Sequence, residues 1–268
     1  MKKQASLLAC LALCIALCAC GGSNDASNQQ APSENASTES SATEATTEAS
    51  PDSEEYYWDT HEADEMPYVG SDNYMADVVM SEEPIPVAAD DDGNYIATMQ
   101  AILPDPLVMD MGKNNGSEYT AARTVIDKYY DDDDHEYLAL SYDFEDNELT
   151  LEEELSSVLE SHYDMEWDDF SADIVPETYK VSGLMNKTVN GSEVLYVCEQ
   201  FEEVETGPND EQITLCGERI YAGMPFTAPN GKTVRVWVEV SNARLNPEDL
   251  ANDGILDLVF GTFEASGK

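Results

Sequence analysis

Thr233-Val-Arg-Val-Trp-Val-Glu-Val240 places a valine at every second position, with Thr233, Arg235, Trp237 and Glu239 between them. Successive side chains of an extended strand point to opposite faces, so a period of two predicts a strand with one apolar face. Upstream, Glu193-Val-Leu-Tyr-Val-Cys-Glu-Gln-Phe201 and Gln212-Ile-Thr-Leu-Cys-Gly-Glu-Arg-Ile-Tyr221 share this strand character, with Gly207-Pro-Asn-Asp210 midway between them. Asn190-Gly191 and Asn230-Gly231 are strong hairpin-turn signals. The stretch from Tyr179 to Val240 therefore reads as a run of antiparallel strands.

Working toward the N-terminus, Thr150-Leu-Glu-Glu153 has the form of a capping box, in which the Thr hydroxyl and the Glu carboxylate satisfy each other's backbone amides. Leu151, Leu155, Val158, Leu159 and His162 follow at helical spacing and predict an amphipathic helix of three to four turns, with His162 bordering the core. Residues 118–144 fit either a hairpin or a helix starting near Glu118, and the hairpin is the preferred expectation. Tyr95-Ile-Ala-Thr-Met-Gln-Ala-Ile-Leu103 reads as a first strand ended by Pro104-Asp-Pro106. Toward the C-terminus, Asn246 as cap, Pro247 at the first position, and Leu250, Ile255, Leu258 and Val259 predict a closing helix, weakened by Gly254.

The expected fold is therefore α+β: an antiparallel β-sheet covered by a few helices, occupying 90–268. Its element order, with Pro104-Asp-Pro106, the capped helix and the closing Phe260-Gly-Thr-Phe263, resembles the Mog1/PsbP-like fold, which occurs in small bacterial lipoproteins. That resemblance implies a binding or assembly role and no shared catalytic residues. Residues 56–89 are expected to be an aromatic and acidic lead-in. Its Tyr56-Tyr57-Trp58 is expected either to dock on the domain or to stay exposed as a partner contact.

The first 55 residues supply the address and the tether. Lys2 and Lys3 precede an uncharged apolar run from Ala5 to Ala19, which is too short to span a bilayer and of signal-peptide length. The run ends in Leu17-Cys18-Ala19-Cys20-Gly21, which resembles the lipobox of bacterial prolipoproteins, with Cys18 a less usual middle residue. The resemblance implies a signal peptide over 1–19, diacylglycerol and further acyl chains such as palmitate on Cys20, and display on the extracytoplasmic face of the cell membrane. Residues 20–55 are rich in Ser, Thr, Ala and acids, with nothing large and apolar to bury, and read as a disordered tether. Random-coil scaling gives such a tether a reach of roughly 30–35 Å.

Charge narrows the partners. The chain holds 56 acids against 12 bases, a formal charge of −44. Removal of 1–19 takes away Lys2 and Lys3 and no acid, which makes it −46. Such a field repels phosphate backbones and excludes nucleic acid, while an envelope protein or a cationic ligand fits. Cys10, Cys14 and Cys18 leave with the signal peptide, so Cys198 and Cys216 are the remaining pair once Cys20 is lipidated. Folding the hairpin about its midpoint brings them nearly opposite, and a disulfide closing that loop would contribute about 3 kcal/mol. A redox pair and a two-thiol metal site are the weaker alternatives, lacking C-x-x-C and a nearby His.

Chemistry-bearing patterns are sparse. Asp249, Asp253-Gly254 and Asp257 match four positions of a D-x-D-x-D-G-x-x-D calcium loop, with Ala251 where a ligand belongs. The same residues also suit a helix whose acids face water. Asp90-Asp-Asp-Gly-Asn94 reads as a turn, and Asp131 to Asp134 with His135 as a solvated turn or a divalent-ion site. No serine-hydrolase or zinc-protease motif occurs. The leading expectation is a membrane-anchored extracytoplasmic lipoprotein with a non-catalytic binding or accessory role and no cofactor. The alternatives are a calcium-dependent surface or adhesion module and a carboxylate-based extracytoplasmic hydrolase.

Overall fold

Alternation extends well beyond the stretches that announced it. The computed structural model describes residues 55–90, 92–102, 108–113, 119–125, 136–145, 149–164, 174–206 and 210–265. The chain runs α1 (Tyr57–Thr60), a 3-10 turn (Asp72–Asp77), β1 (Val79–Asp90), β2 (Tyr95–Ile102), β3 (Val108–Lys113), β4 (Tyr119–Val125) and β5 (Tyr137–Glu145). It continues with α2 (Leu151–Asp164), a 3-10 turn (Pro176–Thr178), β6 (Lys180–Val181), β7 (Met185–Val189), β8 (Ser192–Thr206), β9 (Gln212–Thr227) and β10 (Thr233–Arg244). A last 3-10 turn (Pro247–Asp249), α3 (Gly254–Gly261) and β11 (Glu264–Ala265) complete it.

The strands form two antiparallel sheets, ordered β11-β2-β1-β4-β3 and β5-β10-β9-β8-β6, with β7 also on β8. Even-numbered residues of β5, β8, β9 and β10 face one way. Leu138, Phe144, Ile220 and the β10 valines 234 to 240 on that face join Val87, Ile96 and Met99 of the first sheet in one apolar cluster. Ile255, Leu256, Val259 and Phe260 of α3 belong to the same cluster. The main core therefore lies between the sheets, with α3 against it. Odd-numbered residues face the other way, where Val197 and Tyr221 meet Leu155 and Leu159 of α2 and Tyr57 of α1. The second sheet is thus covered on both faces.

The period-two and period-3.6 readings hold where packing follows the pattern. Val234, Val236, Val238 and Val240 are all buried, and so are Leu155, Leu159 and His162. The capping box forms: Glu153 N donates to Thr150 Oγ1 at 3.2 Å and Thr150 N donates to the Glu153 carboxylate. Arg235 fastens that first turn to β10, bonding Leu149 O and Glu154 Oε2, each at 2.7 Å. Fully burying each of the two leucines contributes on the order of 1.5–3 kcal/mol. Asn190 and Gly191 both adopt positive φ, 49° and 84°, as the tight β7–β8 turn requires.

Expectations are corrected at both ends of the folded unit. Residues 56–89 are no separate lead-in: they supply α1 and β1, β1 lies between β2 and β4, and the compact unit spans Asp52–Lys268. Pro84 and Pro86 obscured this strand, because proline lacks a ladder N–H; the pairing accommodates them through register breaks between Met80 and Ile85 and between Pro86 and Ala88. Over 118–144, β4 and β5 are strands as preferred; β4 pairs with β1 and β3 and β5 with β10, and the segment joining β4 to β5 lies outside the described residues. Asp131 to Asp134 and His135 lie outside the described residues, as do Pro104-Asp-Pro106. The closing helix is divided into a 3-10 turn and α3, with Asn252 between them at φ 48°, and Gly254 begins α3 instead of interrupting it.

Candidate functional site

The long β8–β9 hairpin buries four polar side chains, Glu199, Gln200, Glu203 and Glu218. Its register sets Cys198 opposite Ile220 and Cys216 opposite Glu202. The cysteines are therefore displaced by four residues, about 13 Å along the strands, whereas a disulfide needs Cα atoms within about 7 Å. Both are free thiols, and the expected Cys198–Cys216 disulfide is corrected. The pairing centres on residue 209 instead of 207, because Thr206 meets Gln212 across the turn. Burial, with the Glu218 and Glu199 carboxylates nearby, pushes the Cys198 thiol well above its ordinary value, which keeps it protonated and unreactive.

Two fully buried carboxylates sit on opposite faces of this hairpin. On the face toward the main core, Glu218 Oε1 accepts from Gln200 Nε2 at 3.1 Å. Its Oε2 accepts from Asn242 Nδ2 at 3.1 Å and Asn252 N at 2.9 Å. Gln200 in turn holds Tyr68 by both backbone groups, at 2.9 and 3.1 Å. Glu218 thus ties incoming and outgoing chain to the sheet. Burial pushes its carboxyl up despite those donors. On the opposite face, Glu199 Oε1 lies 2.5 Å from His162 Nδ1 and accepts from Tyr179 Oη at 2.7 Å. Burial would raise this carboxyl, but His162, Arg219 and Tyr179 outweigh it and hold Glu199 below the usual carboxylate range. These are the polar residues that sequence reading missed; glutamates at inward positions of strongly apolar strands were the available signal. A raised-pKa acid and its anionic neighbour on one cleft would suit hydrolysis, but these two face opposite sides of the sheet.

The aspartates chosen for calcium divide. Lys187 Nζ bonds Asp257 Oδ2 at 2.9 Å and Asp253 O at 2.8 Å, and lies 3.4 Å from Asp253 Oδ2. Tyr196 Oη donates to that same Asp253 oxygen at 2.7 Å. Asp249 is held elsewhere, by Asn73 at 3.0 Å and Asn246 at 3.3 Å. An ammonium already lies between two of the three carboxylates. Among the described residues no group of three or more His, Cys, Asp or Glu converges as a ligand set.

The aromatic triplet also divides. Tyr57 is buried among Leu155, Leu159, Val181 and Val197, and its N–H donates to Ser156 Oγ at 2.7 Å. It docks α1 on α2, as the docking expectation had it, and this takes Tyr57 out of the alternative exposed partner contact. Tyr56 and Trp58 stack on each other, ring centroids 5.4 Å apart. Trp58, Asp59, Thr60, His61, Glu62, Ala63 and Gly183 line an open recess of about 280 Å³. Neither Lys nor Arg is among them, and the ring of His61 stacks on Tyr57 with centroids 4.1 Å apart. Four basic side chains among the described residues pair with acids: Lys180 with Asp64, Lys187 with Asp253 and Asp257, Arg235 with Glu154, and Arg244 with Asp77. Burial opposes the Arg219 charge, but Tyr221, Glu199, Tyr137 and Glu239 around it more than offset this. No protein-family model and no curated protein matches the chain.

Proposed function

We propose that the chain is a membrane-anchored extracytoplasmic lipoprotein whose folded unit binds a cationic partner and performs no catalysis. The anchor reading rests on Leu17-Cys18-Ala19-Cys20-Gly21 after an uncharged run of signal-peptide length, and the tether reading on the composition of 20–55. One observation carries the binding role. The chain has 56 acids and 12 bases, and Lys180, Lys187, Arg235 and Arg244 are each paired with acids of the same chain, which leaves a large excess of acid uncompensated. A cationic partner in the envelope is the complement of that surface. No helix among the described residues is long and apolar enough to cross a membrane, so attachment through lipid on Cys20 is the route this reading needs.

The finer Mog1/PsbP-like reading of the fold has partial support. The β5-β10-β9-β8 sheet with α2 on one face and α3 on the other follows that pattern, and the five-stranded first sheet departs from it. A calcium-dependent module draws less support, because Lys187 neutralises Asp253 and Asp257. The test is binding of the full-length chain, in detergent, to surfaces bearing oligolysine or oligoglutamate. Saturable binding to oligolysine alone, weakening as salt rises, is expected. Equal binding to both surfaces, or to neither, would overturn the reading.

A further inference from the structure

We propose that the recess beside α1 is the contact point for that partner and takes one basic side chain, lysine or arginine, of a polypeptide; this rests on the cationic-partner reading above. Trp58 supplies an indole, Asp59 and Glu62 supply carboxylates, and Gly183 leaves room by having no side chain. Asp59 is already positioned, since its Oδ2 accepts from Tyr56 N at 3.0 Å. Tyr56 stacks on the indole and extends the aromatic surface outward. An aromatic ring next to carboxylates suits a cation carried on an alkyl stem: the ring takes the methylenes and the quadrupole attraction, and the carboxylates take the charge. A bare metal ion has no use for the indole and wants more oxygen ligands than two. At about 280 Å³ the recess falls below the range for drug-sized ligands, and suits a single side chain. Competition from inside is absent at the neighbouring lysine, because Lys180 Nζ is held 3.5 Å from Asp64 Oδ1.

Gly183 offers a variant that fills the recess without touching its chemistry. A Cβ there would approach Ala63 Cβ to 3.4 Å, so Gly183→Val narrows the space while Trp58 and both carboxylates stay. The experiment titrates the full-length chain in detergent with a capped tetralysine peptide, with its tetraglutamine counterpart, and with spermidine. Calorimetry gives affinity, and the indole N–H resonance absent from Trp58→Phe reports the site. Tetralysine is expected to bind and to shift the Trp58 indole. Gly183→Val should abolish that shift and weaken binding about tenfold, and Glu62→Gln, at an exposed position, about threefold. Unchanged affinity in both variants would overturn the recess while leaving the cationic-partner reading standing. No binding of tetralysine or spermidine to the natural chain would overturn both. Spermidine binding without peptide binding would overturn the polypeptide as occupant.

Discussion

Glu199→Gln removes the charge from a carboxylate that is wholly buried and held by His162 at 2.5 Å and Tyr179 at 2.7 Å, with Arg219 opposite it in the strand register. Glutamine keeps an acceptor for the Tyr179 hydroxyl but removes the carboxylate charge that faces His162 and Arg219. Breaking a buried pair from one side costs about 3–5 kcal/mol, since the surviving charge stays desolvated. For a unit of this size each kcal/mol shifts the melting temperature by about 2–4 °C, so a fall of about 6–20 °C is expected. His162→Leu should cost a similar amount. Glu199→Met with His162→Leu should recover much of the loss, because two apolar groups leave no stranded charge. Acid adds a second signature. Glu199 is held below its ordinary 4.5, so its stabilisation is fully present above pH 4.5 and is lost as pH falls through the folded value. Urea unfolding followed by circular dichroism at pH 6 and pH 3 measures both. A penalty under about 1 kcal/mol, strictly additive double variants, or a gap between natural chain and Glu199→Gln that does not shrink toward pH 3 would refute the reasoning.

Glu218 should show the opposite slope: burial raises its carboxyl, so its contribution falls as pH rises from 4.5 through the folded value, and Glu218→Gln should flatten that part of the stability profile. Gly217→Ala forces a Cβ to within 2.2–2.8 Å of the buried Phe201 ring and should cost about 1–3 kcal/mol by urea unfolding. Gly223→Ala meets the flexible end of Leu151 at 2.2 Å and should cost less. Denatured without reductant, the natural chain should take alkylating reagent at both Cys198 and Cys216, and when folded at Cys216 far faster than at Cys198; a mass 2 Da low would restore the disulfide. Melting in EDTA and in millimolar calcium should coincide, and a clear rise with calcium would return Asp249, Asp253 and Asp257 to a metal site.

Legibility in the sequence followed how local each determinant was. The β10 valines and Thr150-Leu-Glu-Glu153 were legible because a strand's alternation and a helix cap are fixed within a few residues. β1 was hidden by Pro84 and Pro86, whose missing donors count against a strand until a neighbour's register absorbs them. The cysteine pairing failed for a related reason. Hairpin register depends on turn geometry, and moving the turn centre by two residues separates Cys198 and Cys216 by four. The aromatic triplet was noticed, but α1 splits it, burying Tyr57 on Leu155 and Leu159 and leaving Trp58 on the recess; that division depends on where α2 lies and is invisible in the string Tyr56-Tyr57-Trp58. Gly183, more than 120 residues away in the chain, could not have been joined to Trp58 without the fold.

Intact mass spectrometry of the chain purified from bacterial membranes decides whether the protein is held outside the membrane by lipid on Cys20. A mature chain beginning at Cys20, with the added mass of a diacylglyceryl group and its acyl chains, is the predicted result, and Cys20→Ala should abolish both the added mass and the membrane retention. A chain that still carries residues 1–19, or that begins elsewhere without added lipid mass, would rule out the lipid anchor.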